Sequence, residues 1–156
     1  MNAADPLLVF TVDGQRIGLR LAVVRRVIRV AGIAPLPKAP AVVLGVINVE
    51  GRIVPVVDVR GRFRFPPREI ALSDHLILAR TAAREVALLV DAAEGVAEPD
   101  PAAIVRGDAI LPRLDYVAGV AKLPDGLIFI HDLDTFLSLE EGAALDAAVA
   151  PAGSAS

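Results

Sequence analysis

Gly45-Val46-Ile47-Asn48-Val49-Glu50-Gly51-Arg52-Ile53-Val54-Pro55-Val56-Val57-Asp58-Val59-Arg60-Gly61-Arg62-Phe63 is the stretch on which the reading of this chain turns. A weaker copy lies 74 positions later. Gly45 falls on Gly119, Val46 on Val120, Val49 on Leu123, Ile53 on Leu127, Val54 on Ile128, Val56 on Ile130 and Asp58 on Asp132. The preceding segment repeats at an offset of 69, with Leu7-Leu8-Val9 on Leu76-Ile77-Leu78, Ile17-Gly18-Leu19 on Val86-Ala87-Leu88, Leu21 on Val90 and Val27 on Val96. Two halves of about 70 residues with one order of elements are the signature of a duplicated unit. Chance likeness between two Val/Ile-rich hairpins is the alternative. In a duplicated protein the binding site is sought between the halves.

Outward from this stretch, most segments read as short strands. Leu7–Val12 and Arg16–Leu21 flank Asp13-Gly14, and residues 42–49 and 53–59 flank Glu50-Gly51. Such Gly-containing turns between apolar runs are strong hairpin signals. Residues 23–30 read as a helical turn giving way to a strand. Pro35, Pro37 and Pro40 make 33–40 an extended segment unable to donate to a sheet ladder. Phe63 and Phe65 alternate with Arg62 and Arg64, as in a half-exposed strand. The second half restarts at His75–Thr81 and Glu85–Val90. A connection over 97–115 leads to Tyr116–Leu123, the turn Pro124-Asp125-Gly126 and Leu127–Ile130. Ser138 followed by Glu141 is a capping box for a helix to about Val149.

Composition agrees with a packed β protein. Of the 156 residues, 54% are hydrophobic and 22% charged, mostly Val, Leu, Ile and Ala rather than aromatics. Cysteine is absent, which excludes disulfides and thiolate metal sites. No stretch approaches the roughly 18 apolar residues of a membrane span, and the N-terminus lacks a basic leader, so a cytoplasmic location is expected. The net charge of −3 argues against nucleic acid as a partner.

Candidate chemistry is sparse. His75 and His131 each lie inside an apolar run, where a strand role outweighs a general base or metal ligand. Ser73, Ser138, Ser154 and Ser156 sit on no nucleophile elbow. Asp58, Asp91 and Asp132 each follow a buried-looking strand. A paired-carboxylate site is the sharper reading, but strand-exit carboxylates accepting turn or helix N-terminal amides explain them better. Arg60 to Phe65 mixes charge with aromatics as single-strand nucleic-acid platforms do, yet strict alternation is the pattern of a half-buried strand. No catalytic residue, metal or cofactor is expected. A binding module is the default.

These residues resemble the CheW family, the coupling proteins that join chemoreceptors to the histidine kinase CheA. Gly45 to Arg60 is similar to the family's Gly-Val-Ile-Asn-Leu-Arg-Gly-x-Ile-x-Pro-Val-x-Asp-Leu-Arg motif. Pro35-Leu36-Pro37-Lys38-Ala39-Pro40 resembles its Pro-rich approach, and Ala87-Leu88-Leu89-Val90-Asp91 its Gly-Leu-Leu-Val-Asp segment. Gly119-Val120 and Ile130-His131-Asp132-Leu133 resemble its closing strands. The likeness spans about residues 7 to 145. It implies an all-β fold of two SH3-like five-stranded barrels with a C-terminal helix. Residues 1–156 would form one such domain, with about 7–65 plus the C-terminal segment as one subdomain and about 66–132 as the other.

The resemblance also implies a non-catalytic adaptor, recruited to membrane receptor clusters. Its partners would be the chemoreceptor cytoplasmic tip and the regulatory domain of a CheA-type histidine kinase. Carried over by position, a receptor-binding groove would include Val24, Val27, Gly45 and Val96. An apolar groove accepting a helix is a known mode of recognition. Two positions depart from the family: Glu50 stands where members carry Arg, and Arg26 where they carry Glu. Their opposite reversals suggest one charge-swapped pair. An adaptor of a non-chemotaxis pathway, or a small ligand- or nucleic-acid-binding β-barrel, are the alternatives.

Overall fold

The computed structural model of the chain describes residues 5–30, 32–106 and 117–154. Its strands are β1 (Leu7–Val12), β2 (Gln15–Arg20), β3 (Val24–Arg29), β4 (Val43–Val49), β5 (Arg52–Asp58), β6 (His75–Arg80), β7 (Glu85–Val90), β8 (Ala92–Ala97), β9 (Ile104–Arg106), β10 (Val117–Leu123) and β11 (Gly126–His131). Among the described residues two α-helices, the single turn α1 (Val59–Arg62) and α2 (Leu139–Ser154), and short 3-10 turns complete it. One sheet has six strands in the order β8-β1-β2-β11-β10-β9; the other has five, in the order β3-β6-β7-β5-β4. Each is antiparallel except at one seam, β2 beside β11 and β5 beside β7.

The turns set the hairpins. Asp13-Gly14 (φ 54° and 77°) and Glu50-Gly51 (φ 51° and 88°) supply the paired left-handed residues of a two-residue hairpin loop. Asn48 steadies the second, its Oδ1 accepting from the Gly51 amide at 2.8 Å. Partner choice then departs from chain order. β3 follows β2 yet pairs with β6, and β8 follows β7 yet pairs with β1. These strands occupy equivalent places in the two repeats, so each half lends one strand to the other half's hairpin.

The repeated glycines share one cause. At Gly45, where the β4–β5 register shifts, a Cβ would collide with the Ala34 carbonyl oxygen. At Gly119, where the β10–β11 register shifts, a Cβ would stand 2.8 Å from the Val105 carbonyl. Ala34 bridges Val46, and Val105 pairs with Val120. Both glycines therefore let an incoming backbone lie against a bulged hairpin.

Strands that read as unbroken apolar runs are buried on both faces. Leu8, Phe10, Val12, Ile17 and Leu19 of one sheet pack with Val57, Ile77, Ala79, Val86 and Leu88 of the other in a central cluster between the sheets. The alternate residues face away into a second cluster under each sheet. In the five-stranded sheet this inner cluster is Ile47, Val49, Val54, Val56, Leu76, Leu78 and Ala87, with Ile28 and Leu44 against it. In the six-stranded sheet it is Leu7, Val9, Ala121, Ile128 and Ile130. Since Ile28 on one edge strand and Ile47 on the other join a single cluster, the five-stranded sheet is curved.

Curvature does not become closure. The expected pair of closed five-stranded SH3-like barrels is replaced by two open sheets of unequal size, with β3 and β4 left as the edges of one and β8 and β9 as the edges of the other. Pro35, Pro37 and Pro40 lack the amide hydrogens that would complete the ladder beside β4, and the segment contributes only the isolated Ala34–Val46 bridge. In the other sheet Pro99 and Pro101 cut β8 off from the three-residue β9.

A second correction concerns Phe63 and Phe65, which are not in a strand. The Phe63 amide donates to the Val59 carbonyl and the Phe65 amide to Arg60, while Arg64 takes a positive φ of 62°. The turn drops both rings onto the central cluster. Tyr116 and much of the 97–115 connection lie outside the described residues. The capping box forms as read: Glu141 N donates to Ser138 Oγ at 3.0 Å, and Ser138 N to Glu141 Oε1 at 2.9 Å.

Candidate functional site

Strand register decides which way each expected site residue faces, because residues directly opposite in an antiparallel pair project to the same side. Val24 lies opposite Ala79 and Val27 opposite Ile77, both members of the central cluster. Val96 lies opposite Leu8, another member, yet remains 56% exposed. Thus Val24 and Val27 on edge strand β3, and Val96 on edge strand β8, all belong to the faces turned toward the inter-sheet core. Gly45 is elsewhere. It is buried on β4 at the opposite edge of its sheet, beneath Ala34.

Between Val24 and Val27 the strand bulges, and Arg26 turns to the opposite face, across from Leu78 of the inner cluster. There Arg26 Nη2 meets Glu50 Oε1 at 3.2 Å, with side chains 50% and 68% exposed. A pair this exposed is worth about 0–1 kcal/mol. Next to it Arg52 grips Glu85 through two bonds of 3.0 and 3.3 Å. Arg25, Arg26, Glu50, Arg52, Leu78, Arg80 and Glu85 line an open cleft of about 380 Å³. Sequence reasoning missed Arg25, Arg52, Arg80 and Glu85. The available signal was period two: Arg52 precedes Val54, Arg80 follows Leu78 and Glu85 precedes Ala87, each two residues from an inward apolar side chain.

The strand-exit carboxylates divide. Asp91 accepts from the Asp13 amide at 2.8 Å, from Arg60 at 2.8 and 3.1 Å and from Arg68 at 2.6 Å. Desolvation pushes its carboxyl up, but the amide and the two guanidiniums outweigh this and hold it below the usual range. Arg68 also reaches buried Asp74 at 2.7 and 3.0 Å, so the network fastens the 66–74 connection to both sheets. Asp58 and Asp132, expected to accept helix amides, stand at N-cap positions without a side-chain cap bond.

His131 sits between the rings of Phe63 and Phe136, with centroids at 5.4 and 4.5 Å, and neither ring nitrogen has a hydrogen-bond partner. Burial pushes its pKa down to about 3. His75 lies on β6, half-buried. Among the described residues no group of three or more His, Asp or Glu could hold a metal ion, and no helix is long and apolar enough to cross a membrane.

Comparison with known proteins meets this geometry. The family model of the CheW-like domain matches residues 6–141. The chain belongs to that family. CheW-like proteins are non-catalytic adaptors of signal transduction, and so is this chain. The chemotaxis protein CheW of Rhizobium meliloti (strain 1021) is 30% identical over 142 residues, covering 90% of this chain and 92% of its own length. The chemotaxis protein CheW of Thermotoga maritima is 37% identical over 90 residues, 58% of this chain and 59% of that one. Among solved structures, the scaffolding protein TtCheW from Thermoanaerobacter tengcongensis superposes with a TM-score of 0.80 at 26% identity, covering 90% of this chain and 96% of that one.

Proposed function

We propose that this CheW-like chain couples methyl-accepting chemoreceptors to a CheA-type histidine kinase, in the cytoplasm at membrane receptor clusters. A helix of the receptor's cytoplasmic tip packs against the core-facing edges β3 and β8 of the two sheets. The observation that carries this is Val96: it is more than half exposed on a face whose cross-strand neighbour Leu8 is core, while Val24 and Val27 meet the same core from the other sheet's edge. Small β-branched walls suit the apolar face of a helix. Gly45 acts from beneath, by letting the 33–36 segment pack on β4. The kinase's regulatory domain takes other surfaces of the two sheets.

The test is titration of a purified receptor cytoplasmic fragment and a purified kinase against this chain and its Val96→Asp variant. Burying an unpaired carboxylate against an apolar helix costs on the order of a few kcal/mol, a loss of about a hundredfold or more in receptor affinity. Kinase binding stays as in the wild type. Unchanged receptor affinity removes these edges as the binding site.

The Arg26–Glu50 pair favours a second reading, an alternative chemosensory pathway. Its signs reverse those of most family members, and a reversed charge pattern repels the usual partner while suiting a complementary one. Combining Arg26→Glu with Glu50→Arg should then restore coupling to a typical chemotaxis kinase better than either change alone. Additive single effects would argue against a functional pair.

A further inference from the structure

The inner face of the five-stranded sheet is apolar along its length and changes character at one end. Ile28, Val54, Leu78 and Ala87 face the inner cluster, and the next inward residues toward that end are Arg26, Arg52, Arg80 and Glu85. Glu50 from the β4–β5 turn and Arg25 from the β3 bulge join them, so charged side chains surround the mouth of the curved sheet over Leu78. Four arginines face two glutamates. Both glutamates are engaged, Glu50 by Arg26 and Glu85 by Arg52. Arg25 and Arg80 form no ion pair or side-chain hydrogen bond among the described residues.

The fold itself does not demand this surplus. At the equivalent end of the six-stranded sheet, Arg16 takes the place of Glu85 and Glu94 that of Arg25. There Arg16 meets Glu94 at 4.0 Å and Asp125 at 3.2 Å, leaving acid in excess. One mouth is basic with two spare guanidiniums; the other is acidic. In a chain whose net charge is −3, the basic mouth is a local reversal of sign.

We infer that this mouth is a docking site for an acidic segment of a partner protein, with two carboxylates seated on Arg25 and Arg80. Guanidinium forks match carboxylates in geometry, and Arg is favoured where planar bidentate recognition is needed. A nucleic-acid backbone fits less well, because Glu50 and Glu85 would oppose its phosphates and no aromatic lines the cleft to stack a base. The site lies on the face of β3 opposite Val24 and Val27. It stands or falls separately from the inter-sheet groove.

The test uses fluorescence anisotropy with a labelled peptide of alternating Glu and Ser, its Lys counterpart and a single-stranded oligonucleotide, each titrated with the whole chain. The acidic peptide should bind the wild type, weaken with salt and lose at least about tenfold in affinity in the Arg25→Glu/Arg80→Glu variant. An Arg20→Glu/Lys38→Glu variant, equal in charge change but away from the mouth, should bind as the wild type does. Equal losses in both variants would reduce the effect to overall charge and overturn the proposal. So would absence of acidic-peptide binding, equal binding of the Lys peptide, or tighter oligonucleotide binding lost in the same mouth variant.

Discussion

Replacing His131 by Leu should flatten the acid limb of the stability curve. In the folded protein the ring is buried between Phe63 and Phe136 with both nitrogens unpartnered, and its pKa falls from the ordinary 6.5 to about 3. In the unfolded chain it titrates near the ordinary value. Below that value the unfolded state binds a proton that the folded state refuses, so stability falls as pH falls, until the folded ring also protonates near pH 3. Each unit is worth about 1.4 kcal/mol, giving a loss of ~3 kcal/mol between about pH 6.5 and 4.5 and ~5 kcal/mol over the whole window. That is comparable with the entire stability of many domains. Asp91 and Glu141 also lose stabilisation on acidification, since desolvation of each carboxyl is outweighed by its amide and guanidinium partners and both are held low. Their contribution is common to both proteins and cancels in the comparison. Urea unfolding at about pH 7, 6, 5 and 4.5 reads the difference directly. At neutral pH Leu should be neutral or stabilising, because it removes two unsatisfied buried nitrogens. Parallel curves for the two proteins would refute the reasoning.

Four other outcomes follow from the geometry. Ser138→Ala removes the acceptor for the Glu141 amide and should lower stability by about 1 kcal/mol, with loss of helical circular dichroism at partial denaturation. Gly45→Ala should cost about 1–3 kcal/mol by driving a methyl into the Ala34 carbonyl, measured as a drop in urea midpoint. Arg68→Met strips buried Asp74 of its guanidinium and, among the described residues, leaves its carboxylate only the Ala71 amide; about 2–3 kcal/mol should be lost in chemical unfolding at neutral pH. Exchanging Arg26 and Glu50 should change the unfolding free energy by no more than the worth of an exposed pair, about 0–1 kcal/mol by urea unfolding, so any change in coupling is a matter of recognition.

Local features were legible because neighbouring residues carry them. Asp13-Gly14, Glu50-Gly51 and the Ser138–Glu141 box each state a conformation within four residues. The repeat was legible because Gly45 and Gly119 answer the same steric demand. Pairing partners were not. β1, β6 and β7 are apolar on both faces, so alternation could not say that β3 leaves its own hairpin for β6 or that β8 goes to β1. The failure to close is likewise non-local, since it depends on where Pro35 to Pro40 falls relative to β4. Phe63 and Phe65 misled because alternation over four residues is also met by a tight turn with one left-handed residue. The groove valines were carried over by position, and the register brings Val24, Val27 and Val96 to core-facing strand edges. The basic mouth could not be found that way, as its members come from four strands and a turn.

The exchange of β3 and β8 makes the molecule a clasp. Neither sheet is complete in the residues of one repeat, so severing the chain between repeats would leave β1 without β8 and β6 without β3, each with a bare edge and half a core. The two sheets must therefore be gained or lost together in a single transition. A partner that pulls on one clasped edge is resisted by the whole molecule.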